Sequence, residues 1–132
     1  MELASALKVV VDSSTTMVAW ALSVVAASIA AIVSASYLRP SNKRVRLIYL
    51  LYLPGWLFLG FSIYFGDRVS RGYVAAQFVG EDVLRTIAEK VNGDYGCQQT
   101  MLMIGLLTFA VWLALFLLWW IFGVWTIANR KE

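Results

Sequence analysis

The sequence of 132 residues contains no histidine and a single cysteine, Cys97. Without histidine, the chain lacks the usual haem ligand, the commonest zinc ligand and the usual general base near neutral pH. One cysteine by itself forms neither a disulfide framework nor a metal cluster. We therefore predict no cofactor and no metal site. At Cys97 we expect an unpaired thiol, with an intermolecular disulfide as the alternative.

Charged residues are also scarce, and they are unevenly distributed. They make up 14% of the chain, and none lies in the windows 13–38, 47–66 and 95–129. Apolar residues make up 61%, against about 45 to 50% in ordinary soluble proteins. This distribution excludes an ordinary soluble domain and a strongly charged disordered chain. The net charge of +3 favours contact with lipid phosphates over nucleic acid, because basic residues border the apolar windows.

Each charge-free window is long enough to cross a bilayer as a helix. A helix rises about 1.5 Å per residue, so about 20 apolar residues cover the roughly 30 Å of hydrocarbon. We predict an all-α integral membrane protein whose residues 1–132 form a single membrane domain. Its three transmembrane helices are expected at about 16–38, 47–66 and 101–128. The first is expected to be a retained span, since it lacks the basic start and short apolar core of a signal peptide.

Both prolines predict a change in helix geometry. Pro40 is expected to end the first span, because proline forces the preceding residue out of the helical region. Pro54 is followed by Gly55, and this pair is expected to kink the second span where neighbouring groups satisfy the freed carbonyls.

Two segments outside the spans have helical periodicity. The pattern over residues 1–11 predicts either a short helix on the membrane surface or an extension of the first span. In the outer loop, residues 67–98, an apolar stripe predicts an amphipathic helix at about 81–91. We expect this helix to lie on the outer leaflet or to cap the bundle, and to end at Asn92-Gly93.

The basic residues predict an orientation. The connection between the first two spans contains four of them and no acidic residue: Arg39, Lys43, Arg44 and Arg46. We expect these four to bind lipid headgroups. The positive-inside rule then places the amino terminus and the loop outside and the carboxyl terminus in the cytoplasm, in a plasma or inner membrane.

The first span carries a row of small residues spaced four apart: Ala19, Ser23, Ala27, Ala31 and Ala35. A second row adjoins it: Ala26, Ala30 and Ser34. In lipid, helices associate through close backbone approach, which small side chains allow. We predict that the first row is a helix-packing face. It packs either on the second or third span of the same chain or on copies of the chain in a homo-oligomer.

Hydroxyl side chains of the first span are candidates for lining a pore. Thr16, Ser23 and Ser34 are the candidate positions, although such hydroxyls also bond back to the carbonyl one turn earlier. No Asp, Glu, Lys or Arg lies inside a predicted span, which argues against pumps and secondary transporters. Conduction along a hydroxyl-lined or hydrophobic path remains compatible with this composition.

The loop carboxylates alternate with basic residues at pairing distance, which favours a salt-bridged surface over an active site. We therefore predict a non-enzymatic protein, a homo-oligomeric channel or pore-like assembly. The alternative is a structural or accessory subunit of a larger membrane complex. A membrane-embedded enzyme that uses Glu81, Asp82 or Asp94 is the third hypothesis. The expected partners are the lipid bilayer and copies of the chain or other membrane subunits.

Overall fold

A computed structural model describes residues 2–35 and 47–128. These residues form three α-helices and one short 3-10 turn: α1 (Glu2–Ala35), the turn (Tyr49–Leu51), α2 (Tyr52–Ala76) and α3 (Glu81–Ala128). Consecutive helices are antiparallel. All three are long and apolar enough to cross a membrane. This confirms the predicted all-helical fold with three candidate spans.

The helices pack along faces that repeat every seven residues. On α1 the buried side chains are Leu7, Ser14, Ala21 and Ser28. On α2 the buried positions alternate between steps of three and four: Tyr52, Gly55, Leu59, Ser62, Gly66 and Val69. On α3 they include Val91, Gln98 and Gly105. This spacing is that of left-handed coiled coils, in which a strict seven-residue repeat stays on one face.

The core has two apolar layers. One lies near the amino end of α1 and contains Leu7, Val69, Ala76 and Val91. The other lies near the middle of the bundle and contains Ala21, Leu59 and Leu102. Each layer draws residues from all three helices, so both contribute to holding α1 against the α2–α3 hairpin.

Two glycines allow α2 and α3 to approach closely. A Cβ added at Gly105 would lie 2.8 Å from Leu59 Cδ2, and Leu59 is fully buried. A Cβ added at Gly66 would lie 2.7 Å from Gln98 Nε2 of α3 and 2.5 Å from Val18 Cγ2 of α1. These distances are shorter than a carbon–carbon or carbon–nitrogen contact allows, so a larger residue requires the neighbouring side chains or the helices to shift.

The third helix is continuous from Glu81 to Ala128, about 72 Å at 1.5 Å per residue. The predicted amphipathic helix begins where expected, but the predicted stop at Asn92-Gly93 is wrong and no separate loop helix exists. Val91 is buried in the core, and Asp94 Oδ2 lies 3.2 Å from Arg68 Nε. Ending the helix here would break this packing, which outweighs a local stop signal worth about 1 kcal/mol.

The first two helices also differ from the sequence-based expectation. α1 begins at Glu2, so residues 2–11 extend the first span rather than forming a separate surface helix. α2 continues past the predicted end at Gly66 to Ala76. We call the resulting charged end of the bundle the stalk; it comprises residues 2–12, 67–76 and 81–94.

Pro54 is the third residue of α2 and follows directly on the 3-10 turn, to whose carbonyl oxygens the Tyr52 N–H is bonded. A proline has no N–H to donate to the carbonyl four residues earlier. The Pro54-Gly55 pair therefore lies where 3-10 winding gives way to α-helical winding. Pro40 and its expected helix end lie outside the described residues.

Replacing Gly105 with alanine should destabilise the bundle. We expect Gly105→Ala to lower the free energy of unfolding by about 1 to 3 kcal/mol, because the new methyl group overpacks the contact with Leu59. The matched control is Gly96→Ala on the same helix, where an added Cβ meets no atom within 4 Å. It should be neutral or stabilising by about 0.5 to 1 kcal/mol. Unfolding in mixed detergent micelles measures both, and equal effects would contradict the packing described here.

Candidate functional site

The face of α1 that points away from α2 and α3 consists mainly of small residues. Its exposed members, which we call the outer face, are Thr16, Ala19, Ser23, Ala26, Ala27, Ala30 and Ser34. They lie on the opposite side of the helix from the buried Ser14, Ala21 and Ser28. Exposed bulky residues flank this strip on both sides, with Trp20 at 62% and Leu22 at 54% exposure. The outer face is therefore a shallow strip between larger side chains.

The predicted row of small residues is only partly on this face. Ala19, Ser23 and Ala27 are exposed, Ala31 is half-buried, and the side chain of Ala35 lies outside the described set. Four residues advance about 400° around a helix, so such a row rotates by about 40° at each step. The row consequently turns from the outside towards the bundle.

The alternative that this row packs on the second or third span of the same chain is wrong for Ala19, Ser23 and Ala27. The exposure of these three residues rules it out. α1 instead meets those helices through its seven-residue repeat, which includes Ser14 and Ala21. The exposed part of the row is left for contacts outside the chain.

The three candidate pore-lining residues, Thr16, Ser23 and Ser34, share the outer face. Thr16 Oγ1 donates a hydrogen bond to the Asp12 carbonyl oxygen at 3.0 Å, and Ser23 Oγ donates to that of Ala19 at 2.8 Å. A hydroxyl that donates to its own helix still has lone pairs that accept hydrogen bonds from water. These side chains line no path within one chain, so a path lined by them requires further chains.

A buried polar cluster joins all three helices between the two apolar layers. Gln98 of α3 is fully buried, and its Oε1 accepts a hydrogen bond from Ser14 Oγ of α1 at 2.6 Å. Its Nε2 donates to the Ser14 carbonyl oxygen at 3.0 Å. From α2, Ser62 Oγ donates to the Gln98 carbonyl oxygen at 3.1 Å. Because both ends of the amide are satisfied, this cluster specifies how the helices align lengthwise.

Sequence reasoning missed this polar cluster. The available signal was the spacing of Gln98, seven residues from both Val91 and Gly105, which places it on the buried face of α3. A glutamine at such a position needs a partner on a neighbouring helix. Ser14 precedes the predicted first span, 16–38, so the prediction assigned it no role.

An aromatic cluster fills the end of the described bundle opposite the stalk. Tyr52 is 2% exposed, and its ring centroid lies 4.8 Å from that of Trp112 and 5.2 Å from that of Phe109. Trp56 Nε1 donates a hydrogen bond to Ser28 Oγ of α1 at 2.7 Å. These aromatic residues of the second and third spans therefore pack between helices.

The remaining candidate residues are dispersed. Arg39, Lys43, Arg44 and Arg46, the predicted headgroup ligands, lie outside the described residues. Cys97 is exposed, with its thiol free. Glu89 Oε1 lies 3.7 Å from Arg85 Nε, in keeping with a salt-bridged surface on the stalk. The sequence matches no protein-family model and no curated protein, and the fold matches no solved structure.

Removing the Gln98 amide should weaken the association of the three helices. We expect Gln98→Ala to cost about 1 to 3 kcal/mol in unfolding free energy, because buried groups lose their partners. Gln99→Ala, on the exposed neighbouring position, serves as the control and should have little effect. A double-mutant cycle with Ser14→Ala should give a coupling energy of about 0.6 kcal/mol, the average for interhelical hydrogen bonds in a membrane, and at most about 1.7 kcal/mol. A coupling energy of zero would contradict the proposed alignment role.

Proposed function

We propose that this chain is a non-enzymatic membrane protein that assembles through the outer face of α1 into a homo-oligomer with a solute path between the copies. The observation that carries the proposal is the outer face itself. It is a strip of small and hydroxyl side chains, exposed along the first candidate span and left unused by the packing of the chain's own helices.

Assembly through this face follows from the energetics of helices in lipid. Burying a leucine against a leucine there gains little over leaving it among acyl chains, so association depends on close approach and dispersion. Small side chains such as Ala19 and Ala27 permit that approach. The flanking Trp20 and Leu22 are placed to pack against the sides of a helix seated on the strip.

The location of the path follows from the closed interior of the single chain. Ala21, Leu59 and Val69 are each 0% exposed, so apolar side chains occupy the interior of the bundle at these positions. Thr16 and Ser23 present hydroxyl groups on the outer face instead. A ring of copies joined at α1 would bring these hydroxyls around a common axis, as in paths lined by neutral polar groups.

The charges favour an orientation with the stalk outside. The connection of residues 39–46 holds basic residues and no acidic one, whereas the stalk mixes both signs. Basic residues in short loops are enriched on the cytoplasmic side. We propose that both chain ends follow this rule, with the amino terminus outside and the carboxyl terminus in the cytoplasm.

Thiol labelling of intact cells tests this orientation. In a Cys97→Ser background, Asp82→Cys on the stalk should react with a membrane-impermeant maleimide, and Lys43→Cys should react only after the cells are permeabilised. The reverse pattern would invert the proposed topology, and labelling of both sites in intact cells would contradict a span between them.

The assembly is tested by the mass of the particle in mild detergent. We expect several copies for the unmodified chain and a smaller particle for Ala27→Leu, because overpacking a close contact costs about 1 to 3 kcal/mol. Ala110→Leu is the matched control, since it makes the same change at an exposed position of α3. A monomeric unmodified chain would refute the homo-oligomer, and so would equal masses for the two variants.

Solute flux from proteoliposomes tests the path separately from the assembly. The purified chain should release small ions from loaded vesicles. The double variant Thr16→Val with Ser23→Ala should reduce that flux several-fold at unchanged particle mass, because it removes polar groups without adding volume. Equal flux from the variant and the unmodified chain would place the path elsewhere.

An accessory subunit of a larger membrane complex is the second candidate. It is favoured by the hydrogen bonds that Thr16 and Ser23 make to their own helix, since these satisfy the donors and leave the outer face suited to any apolar helix. This candidate predicts co-purification with a larger partner and no flux from the chain alone. The same two measurements therefore choose between the candidates.

A further inference from the structure

A groove runs along the surface of α2 within its apolar half. It is a shallow, open groove of about 390 Å³ lined by Trp56, Leu57, Gly60, Phe61 and Tyr64. Gly60 forms its floor, because an added Cβ there meets no atom within 4 Å. We call this the apolar groove. Its walls are aromatic and aliphatic, and its width is set by the missing side chain of Gly60.

A second groove lies between α2 and α3 on the stalk, just beyond the charge-free window that ends at Gly66. It encloses about 330 Å³, and its charged lining residues are Arg68, Arg71, Lys90 and Asp94. Three cations and one carboxylate give a net charge of +2. Asp67 forms an ion pair with Arg71, with Oδ2 2.7 Å from Nη2. If its charge is included, the net charge is +1. We call this the basic groove.

The two grooves lie on the same side of α2. From Gly60 to Arg71 the helix rises about 16 Å and turns through about 1100°, which leaves the two positions only about 20° apart. Half of a bilayer, from its midplane to the headgroups, measures about 20 to 22 Å. A single lipid molecule has the length to reach from one groove to the other.

We propose that these two grooves bind one anionic phospholipid, with an acyl chain in the apolar groove and the phosphate in the basic groove. The site lies in the leaflet on the stalk side, the opposite leaflet from residues 39–46. The inference rests on the proposed insertion of the chain in a membrane. It does not depend on assembly or on a solute path.

The cations of the basic groove are arranged for a phosphate group. Arg68 uses Nε towards Asp94 and lies 5.8 Å from the centroid of the Phe65 ring, which holds its guanidinium at the membrane edge. Arg71 is 80% exposed. An arginine offers five N–H donors in a planar fork, so an ion pair through one atom leaves donors for phosphate oxygens. Lys90 makes no ion pair with any residue in 2–35 or 47–128 and adds a third cation from α3.

Continuity between the grooves favours a lipid over a soluble phosphate. A free phosphate would be held by the basic groove alone, whereas the apolar groove begins less than two helical turns away and contains no charged residue. Tyr64, which is 56% exposed, is a residue type enriched in the interfacial region where acyl chains meet headgroups.

Native mass spectrometry of the purified full-length protein tests the site. The probes are phosphatidylglycerol, phosphatidylcholine and inorganic phosphate, each added to delipidated protein in detergent. We expect phosphatidylglycerol adducts to exceed the others. Each of the variants Arg71→Ala and Lys90→Gln should weaken phosphatidylglycerol binding roughly fivefold, the effect of losing one cation near an anionic headgroup. Gly60→Leu should weaken it several-fold by filling the apolar groove.

The controls separate this site from other basic regions. Arg85→Ala removes a cation from the stalk outside the groove, and Gly93→Leu adds the same side chain where nothing lies within 4 Å. Both should bind phosphatidylglycerol as the unmodified chain does, and binding by residues 39–46 is common to all variants. If Arg85→Ala and Lys90→Gln reduce phosphatidylglycerol binding equally, the proposed site is wrong. If inorganic phosphate binds as well as phosphatidylglycerol, the proposed ligand is wrong. Extraction of the chain from membranes by alkaline carbonate would instead refute insertion.

Discussion

Packing along a seven-residue repeat determines which surfaces of this protein are buried and which remain for other molecules. The repeat places Ala21, Leu59 and Leu102 in one layer and sets Gln98 against Ser14. Glycine at position 105 then allows α2 and α3 to approach closely. Once this face of α1 is used internally, the small residues on its opposite side are exposed along the whole span. The outer face is thus a consequence of how the core is packed.

The polar cluster explains why the helices align in one way. Apolar side chains in lipid discriminate weakly between neighbouring alignments, because a shift by one turn exchanges one aliphatic contact for another. A shift of α3 would leave the Gln98 amide without partners in an apolar interior, which is costly. Gln98 therefore selects one alignment of the helices, as single polar residues do in coiled coils.

The number of helices and their apolar segments could be predicted from the sequence, because the absence of charge over 20 or more residues is a property of the sequence itself. The positions of the helix ends could not be predicted in this way. Asn92-Gly93 is a local stop signal, and it is overridden by the burial of Val91, a contact between distant residues that no local pattern contains. The packing face of α1 was assigned from a four-residue spacing, which rotates around the helix. The seven-residue spacing of Leu7, Ser14, Ala21 and Ser28 was less conspicuous because two of its members are serines.

The unbroken course of α3 has a mechanical consequence. A helix of 48 residues without an internal stop is a stiff rod, so its two ends cannot reorient independently. A rigid rotation of α3 by about 10° about its stalk end would displace the other end by about 12 Å, because the helix is about 72 Å long. A tilt imposed on α3 at the stalk by a neighbouring molecule would therefore be transmitted to the opposite end of the helix.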